Sequence, residues 1–126
     1  MLIPISAATL RMLAFVLFDR AENKVYLVRD RLGKKPLYYL QKESILDFAS
    51  EIKALKNLDN ETLSLDITSL NHYLTYGYVP SPRTIYKEIN EIPPACYAGW
   101  DSYLNVVYKQ YWQLEWHPKY NVTFDE

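Results

Sequence analysis

Cysteine is almost missing from this chain: Cys96 is the one thiol in 126 residues. One cysteine closes no internal disulfide, so a stapled secreted mini-protein is excluded and a reducing compartment, the cytoplasm, is expected. Glycine is scarce too, at 3 residues against 7 prolines, which excludes a flexible low-complexity linker. Neither sign of charge dominates. The 14 Lys+Arg against 15 Asp+Glu leave a net charge of -1, without the basic excess of a nucleic-acid-binding domain. No apolar run reaches the ~18–20 residues of a membrane helix. Met1 to Leu10 lacks the basic start and small-residue cleavage site of an export signal. Neither a nucleic acid nor a membrane is expected as a partner.

What is present describes one globular domain. With 49% hydrophobic and 23% charged residues the chain is no candidate for disorder, and a chain of this length buries roughly two thirds of its unfolded surface. Tyrosine supplies 12 of the aromatics beside 4 Phe and 3 Trp, which suits strands and interfaces where a ring is buried and its hydroxyl stays wet.

Leu13 to Asp19 is nearly continuous in apolar residues, the pattern of a strand covered on both faces, and Lys24 to Arg29 resumes after a polar turn, so Leu13 to Arg29 reads as a hairpin. Gly33 and Pro36 then break the pattern, and Leu37 to Leu40 and Ile45 to Ala49 read as two more strands of one antiparallel meander. Ser50 can cap a helix carrying Ile52, Leu55 and Leu58. Asp66 can cap a second, with Ile67, Leu70 and Leu74 at helical spacing and Gly77 as its stop. Pro80 and Pro82 make Tyr78 to Arg83 a rigid connection. Cys96 to Trp100 and Leu104 to Tyr111 read as a closing pair of strands. No internal repeat is visible.

Chemistry concentrates between Arg29 and Lys35, where Asp30 stands among four cations. An ionised carboxylate there could receive the ammonium group of an amino acid through a charge-assisted hydrogen bond. The plainer alternative is a solvated turn in which Asp30 pairs with a neighbouring Arg. A phosphate loop is excluded, because no second glycine stands five residues before Gly33. Cys96 has no His near it in sequence and reads as structural. His72 and His117 are isolated, so no metal-ligand spacing exists and no metal is expected. Glu51 and Lys53 at a helix start carry no catalytic assignment. Asn121-Val122-Thr123 fits a glycosylation triplet, read as a chance match without an export signal. Tyr76 to Pro80 with Arg83 either orders a connection or contributes to a docking surface, since Tyr and Arg favour interface cores.

Three stretches together resemble a known family. Val28-Arg-Asp-Arg-Leu-Gly-Lys-Lys-Pro-Leu-Tyr-Tyr39, Phe48-Ala-Ser-Glu-Ile-Lys-Ala-Leu55 and Tyr76-Gly-Tyr-Val-Pro-Ser-Pro-Arg-Thr-Ile-Tyr86 resemble the glutamine amidotransferase domain of glutamine-hydrolysing asparagine synthetases, over about Leu13 to Leu114. The resemblance implies an α+β fold, part of the αββα sandwich of the N-terminal-nucleophile hydrolases, built mainly of antiparallel strands with two short helices. It implies glutamine as substrate, with Asp30 on the family's carboxylate that binds the glutamine α-amino group. The family's nucleophile is a cysteine uncovered at position one. Here Met1 is followed by Leu2, and the residues before Leu13 match neither the family's carboxylate-binding arginine segment nor its Asn-Gly-Glu segment.

No catalytic residue is therefore expected in this chain. Residues 1–114 read as a partial amidotransferase domain without the nucleophile-bearing half, and 115–126 as the start of a linker toward a synthetase domain, Tyr111-Trp-Gln-Leu114 resembling the family's end-of-domain motif. The expected partners are glutamine, that other half-domain and the synthetase domain, with a homo-oligomer left open. ATP and magnesium are expected only in the synthetase domain, and no cofactor in these residues. A fragment of an asparagine synthetase, inactive alone, is the expected identity. A non-catalytic binding or interaction module is the alternative.

Overall fold

In the computed structural model, which describes residues 12–58 and 63–116, the first apolar stretch becomes strand β1 (Ala14–Asp19), paired antiparallel with β2 (Lys24–Arg29) so that Val16 faces Leu27. The Asp19 carboxylate turns this corner by accepting the Ala21 and Glu22 amides at 2.9 and 3.2 Å. The predicted hairpin is thus present. Two further strands follow, β3 (Tyr38–Lys42) and β4 (Ile45–Ala49), and then helices α1 (Ile52–Leu58) and α2 (Ile67–Tyr76). The chain closes with β5 (Ile89–Glu91), β6 (Cys96–Trp100) and β7 (Val106–Gln110). Met1 to Leu10, His117 and Asn121 to Thr123 lie outside the described residues.

The first four strands do not form one meander. β1 and β2 join the closing pair in a four-stranded sheet of order β1-β2-β6-β7, while β3 pairs with β4 and β5 in a second sheet of order β4-β3-β5. The cause lies at Gly33, whose φ of +62° sends the chain from one layer to the other instead of back along β2. All strand pairs are antiparallel, so the fold is α+β with mainly antiparallel strands and two short helices.

Alternation along β3 explains how the layers stack. Tyr39 points to the four-stranded sheet and packs with Leu27, Ala98 and Trp100, joined by Leu37 and Ile92. Leu40 points the opposite way and packs with Ile89 and with Leu55 of α1. The order of layers is therefore helix, three-stranded sheet, four-stranded sheet. Trp100 fixes the two sheets against each other: its ring meets Tyr39 edge-on at 5.0 Å, and its Nε1–H donates to Gln41 Oε1 at 2.8 Å. Burying a large side chain of this kind stabilises a fold by about 1.5–3 kcal/mol.

Two packing expectations are corrected. β1 is not covered on both faces, because it is an edge strand whose Phe15 and Phe18 stay exposed among the described residues. In α2 the caps form as predicted, with Asp66 accepting from Thr68 N–H and the Gly77 N–H donating to Tyr73 O. Its predicted apolar stripe is turned inward only in part, however: Leu70 is half-buried while the two residues at either end of the stripe stay open. Ser69 is 0% exposed, whereas Ile67 is 68% and Leu74 75% exposed. Ser69 Oγ donates to Asp66 Oδ2 at 2.7 Å within the cap, and the Asp66 backbone N–H donates to Ile85 O at 2.9 Å, which ties the start of the helix to the segment before β5.

Gly33 supports a first prediction. A Cβ there would stand 2.6 Å from Pro94 Cγ, in a left-handed backbone that L-residues disfavour. Gly33→Ala is expected to cost about 2 kcal/mol in urea unfolding, and an unchanged midpoint would contradict the close approach of the turn to Pro94.

Candidate functional site

Arg29 ends β2 on the inner face, in line with Val25 and Leu27, and alternation carries its side chain into the core rather than into solvent. It is 6% exposed. Its guanidinium donates to three carbonyls: Nε to Lys35 O at 3.0 Å, Nη1 to Ile92 O at 2.6 Å and Nη2 to Gly33 O at 2.6 Å. Nη1 also pairs with Glu91 Oε1 at 2.8 Å. One planar fork thus ties the 30–35 turn to the end of β5. Composition alone grouped Arg29 with Arg31, Lys34 and Lys35 as one basic turn; only the in-and-out period of β2 separates it from them.

Among the described residues Asp30, next in the chain, does not pair with an arginine. Its Oδ2 accepts the Leu13 amide at 3.1 Å and its Oδ1 accepts the Gly33 amide. Its backbone N–H donates to Leu13 O at 2.9 Å, and its carbonyl accepts the Ala95 N–H at 2.8 Å. The solvated-turn alternative is corrected on this point, because the guanidinium beside it is spent on carbonyls and Glu91. Asp30 is only half-buried, and an ionised carboxylate offers about four acceptor positions, of which two are used by amides. The arrangement leaves a half-buried carboxylate, held by two amides, with acceptor positions to spare.

The segment after β7 folds over the same turn. Tyr111 donates its hydroxyl to Arg29 O at 2.7 Å and its amide to Ala95 O at 2.9 Å. Burial, reinforced by the negative charge of Asp30, pushes the Tyr111 hydroxyl above its usual range. Arg31 lies 5.5 Å from the Trp112 ring centre, a cation–π contact. Local sequence patterns could not show that residues 111 and 112 sit on a turn eighty positions earlier.

Glu91 has a pH signature. Burial pushes its carboxyl above the usual range, and Arg29 pulls it back only in part. A raised folded value means that this carboxyl favours the folded state most at pH below its unfolded value. That contribution is lost as pH rises through the folded value. Glu91→Gln is therefore expected to destabilise the chain less at pH 7 than at pH 4, as read by thermal unfolding at both; the opposite trend would show that the Arg29 attraction outweighs burial.

The other titratable candidates stand apart from this turn. Cys96 lies in β6 opposite Gln110, half-buried, with its thiol pushed up by burial and so poorly suited to attack as a thiolate. His72 lies in α2 with its ring against Tyr76. Among the described residues no three His, Cys, Asp or Glu side chains gather as metal ligands. No helix described is long and apolar enough to cross a membrane. An open cavity of about 330 Å³ between Phe18, Phe48 and Trp100 lies at the opposite end of the strands and includes neither Arg29 nor Asp30.

Comparison with known proteins covers nearly the whole chain. The family model described as the glutamine amidotransferase domain matches residues 6–112. Asparagine synthetase [glutamine-hydrolyzing] 1 of Bacillus subtilis is 29% identical over 90% of this chain and 18% of its own length. Asparagine synthetase [glutamine-hydrolyzing] 3 of the same organism is 35% identical over the same shares. The chain therefore spans about a fifth of the length of these relatives.

Proposed function

The chain belongs to the glutamine amidotransferase domain family, and from that premise we propose that Asp30 holds the α-amino group of glutamine in the amidotransferase part of an asparagine-synthetase-type enzyme. In that enzyme glutamine is hydrolysed to glutamate and ammonia, and the ammonia serves ATP-dependent amidation of aspartate elsewhere in the longer polypeptide. Residues 1–114 form the amidotransferase part, and 115–126 lead toward the synthetase part. ATP and magnesium belong to the latter.

One observation carries the assignment. The Asp30 carboxylate is anchored by the Leu13 and Gly33 amides, and no cation among the described residues pairs with it. An ammonium placed on its open side gains a charge-assisted contact of roughly 1.5–3 kcal/mol. The carboxylate grips; it does not attack. A nucleophile for the side-chain amide is not supplied by Cys96, which is half-buried at the start of β6 with a raised thiol. Alone, the chain binds glutamine and does not hydrolyse it.

An NMR titration tests this directly. L-Glutamine is expected to shift the Gly33 and Leu13 amide signals, and the analogue lacking the α-amino group is expected to leave them in place. Ammonia release in the same samples should stay at the buffer rate. Equal shifts with both ligands, no shift with either, or turnover that survives Cys96→Ala would each overturn the reading.

A further inference from the structure

Asp30 stands between two arginines, and an arginine beside a carboxylate in a half-buried turn is its natural bidentate partner. Neither neighbour takes that role among the described residues. Arg29 is held inside by three carbonyls and Glu91. Arg31 is half-buried, and its guanidinium carbon lies 5.5 Å from the centre of the Trp112 ring. Lys34 and Lys35 follow the Gly33 turn and stay exposed.

The ring is a platform for Arg31 and not a passenger on it. The segment that carries Trp112 is fastened without help from Arg31: the Tyr111 hydroxyl donates to Arg29 O at 2.7 Å, the Tyr111 amide donates to Ala95 O at 2.9 Å, and Gln110 Nε2 donates to Trp112 O at 3.1 Å. Arg31 is also within reach of Asp30. Beyond the effect of burial, the charge of Asp30 pushes the Tyr111 hydroxyl up and the charge of Arg31 pulls it down, so the two charges flank one group. A cation on an indole face and a cation in an exposed ion pair are held with similar strength, so the presence of the ring decides which contact Arg31 makes.

We infer that Trp112 is a positioning residue for the Asp30 site: its ring draws the Arg31 guanidinium off the carboxylate and leaves the spare acceptor positions to the ammonium of the ligand. The inference rests on the functional reading above for the nature of the ligand. It goes further in naming what keeps the site open, a side chain that touches neither Asp30 nor the ligand.

The test is an NMR titration of the full chain with L-glutamine, read at the Leu13 and Gly33 amides. Trp112→Leu is expected to weaken binding about three- to fivefold, because the ammonium must first displace Arg31 from an exposed ion pair. Trp112→Tyr keeps a ring face for the cation and should stay within about twofold of the parent. Adding Arg31→Gln to Trp112→Leu should restore binding to within about twofold of the parent, a coupling that lost packing alone does not produce. Without ligand, Arg31→Gln should move the Leu13 and Gly33 amide signals further in the Trp112→Leu background than in the parent. Parental affinity in Trp112→Leu overturns the inference. So does a deficit that Arg31→Gln fails to relieve, which would make Trp112 a packing residue only. Arg31→Gln in the parent tests the same point with the ring intact: a gain above about threefold would place Arg31 on Asp30 already, lost binding would place it on the ligand, and each overturns the inference. A parent that does not respond to L-glutamine defeats the functional reading alone, since the unliganded amide signals still report whether Arg31 reaches Asp30 once the ring is gone.

Discussion

Arg29→Ala is expected to destabilise the chain by about 3–5 kcal/mol, which is a large part of the stability of an ordinary domain. The size follows from what would be left behind. Glu91 would keep a buried carboxyl without its cation, and the carbonyls of Gly33, Lys35 and Ile92 would lose their donor. Arg29→Lys keeps the charge but has no planar fork, so it should recover only part of the loss. Urea unfolding of the two variants checks the argument. An alanine variant within 1 kcal/mol of the parent, a margin about the size of one ordinary hydrogen bond, would show that water replaces the guanidinium at no cost.

Asp30→Ala carries the second large effect, on glutamine use rather than on folding. In a full-length relative, the alanine variant at the position of Asp30 is expected to use glutamine roughly ten- to a hundredfold less well, at ~1.4 kcal/mol per decade. Asp30→Asn separates grip from charge. The amide keeps an acceptor oxygen for only one of the Leu13 and Gly33 amides and offers no negative charge to an ammonium. A deficit as large in Asn as in Ala, with the Leu13 and Gly33 amide signals of the Asn variant unmoved, would assign the effect to charge. Wild-type affinity in both variants would leave Asp30 as a turn-forming residue only.

How far the sequence spoke depends on the range of each signal. Asp66 and Gly77 announce the two ends of α2 because a cap is a contact within three or four residues. The β1–β2 hairpin is equally local. The partition into two sheets was not readable, since a glycine turn such as Gly33 does not declare which layer the chain enters next. β5 escaped notice because three residues are too few to display alternation. The exposure of Ile67 and Leu74 in α2 was hidden as well, as was the tie of Asp66 to Ile85, nineteen positions further on.

The site divides along the same line. Asp30 is singled out by a motif of neighbouring residues, whereas two of the groups that hold it in place, Leu13 and Ala95, are distant in the chain. The role of Arg29 was missed because three consecutive charged residues, Arg29 to Arg31, look alike until one of them is seen at an inward position of β2. Membership of the family, by contrast, was legible from the three motifs, and the match over residues 6–112 agrees with it.

The stitching of Asp30 to three separate stretches of chain has an entropic consequence. A free loop must surrender backbone freedom, about 1–2 kcal/mol for each residue it orders, at the moment it closes on a small molecule. Here that loss is already taken during folding, when Leu13, Gly33 and Ala95 lock onto the same residue. Capture can then be fast and nearly rigid, with little of the contact energy diverted into organising the receiver.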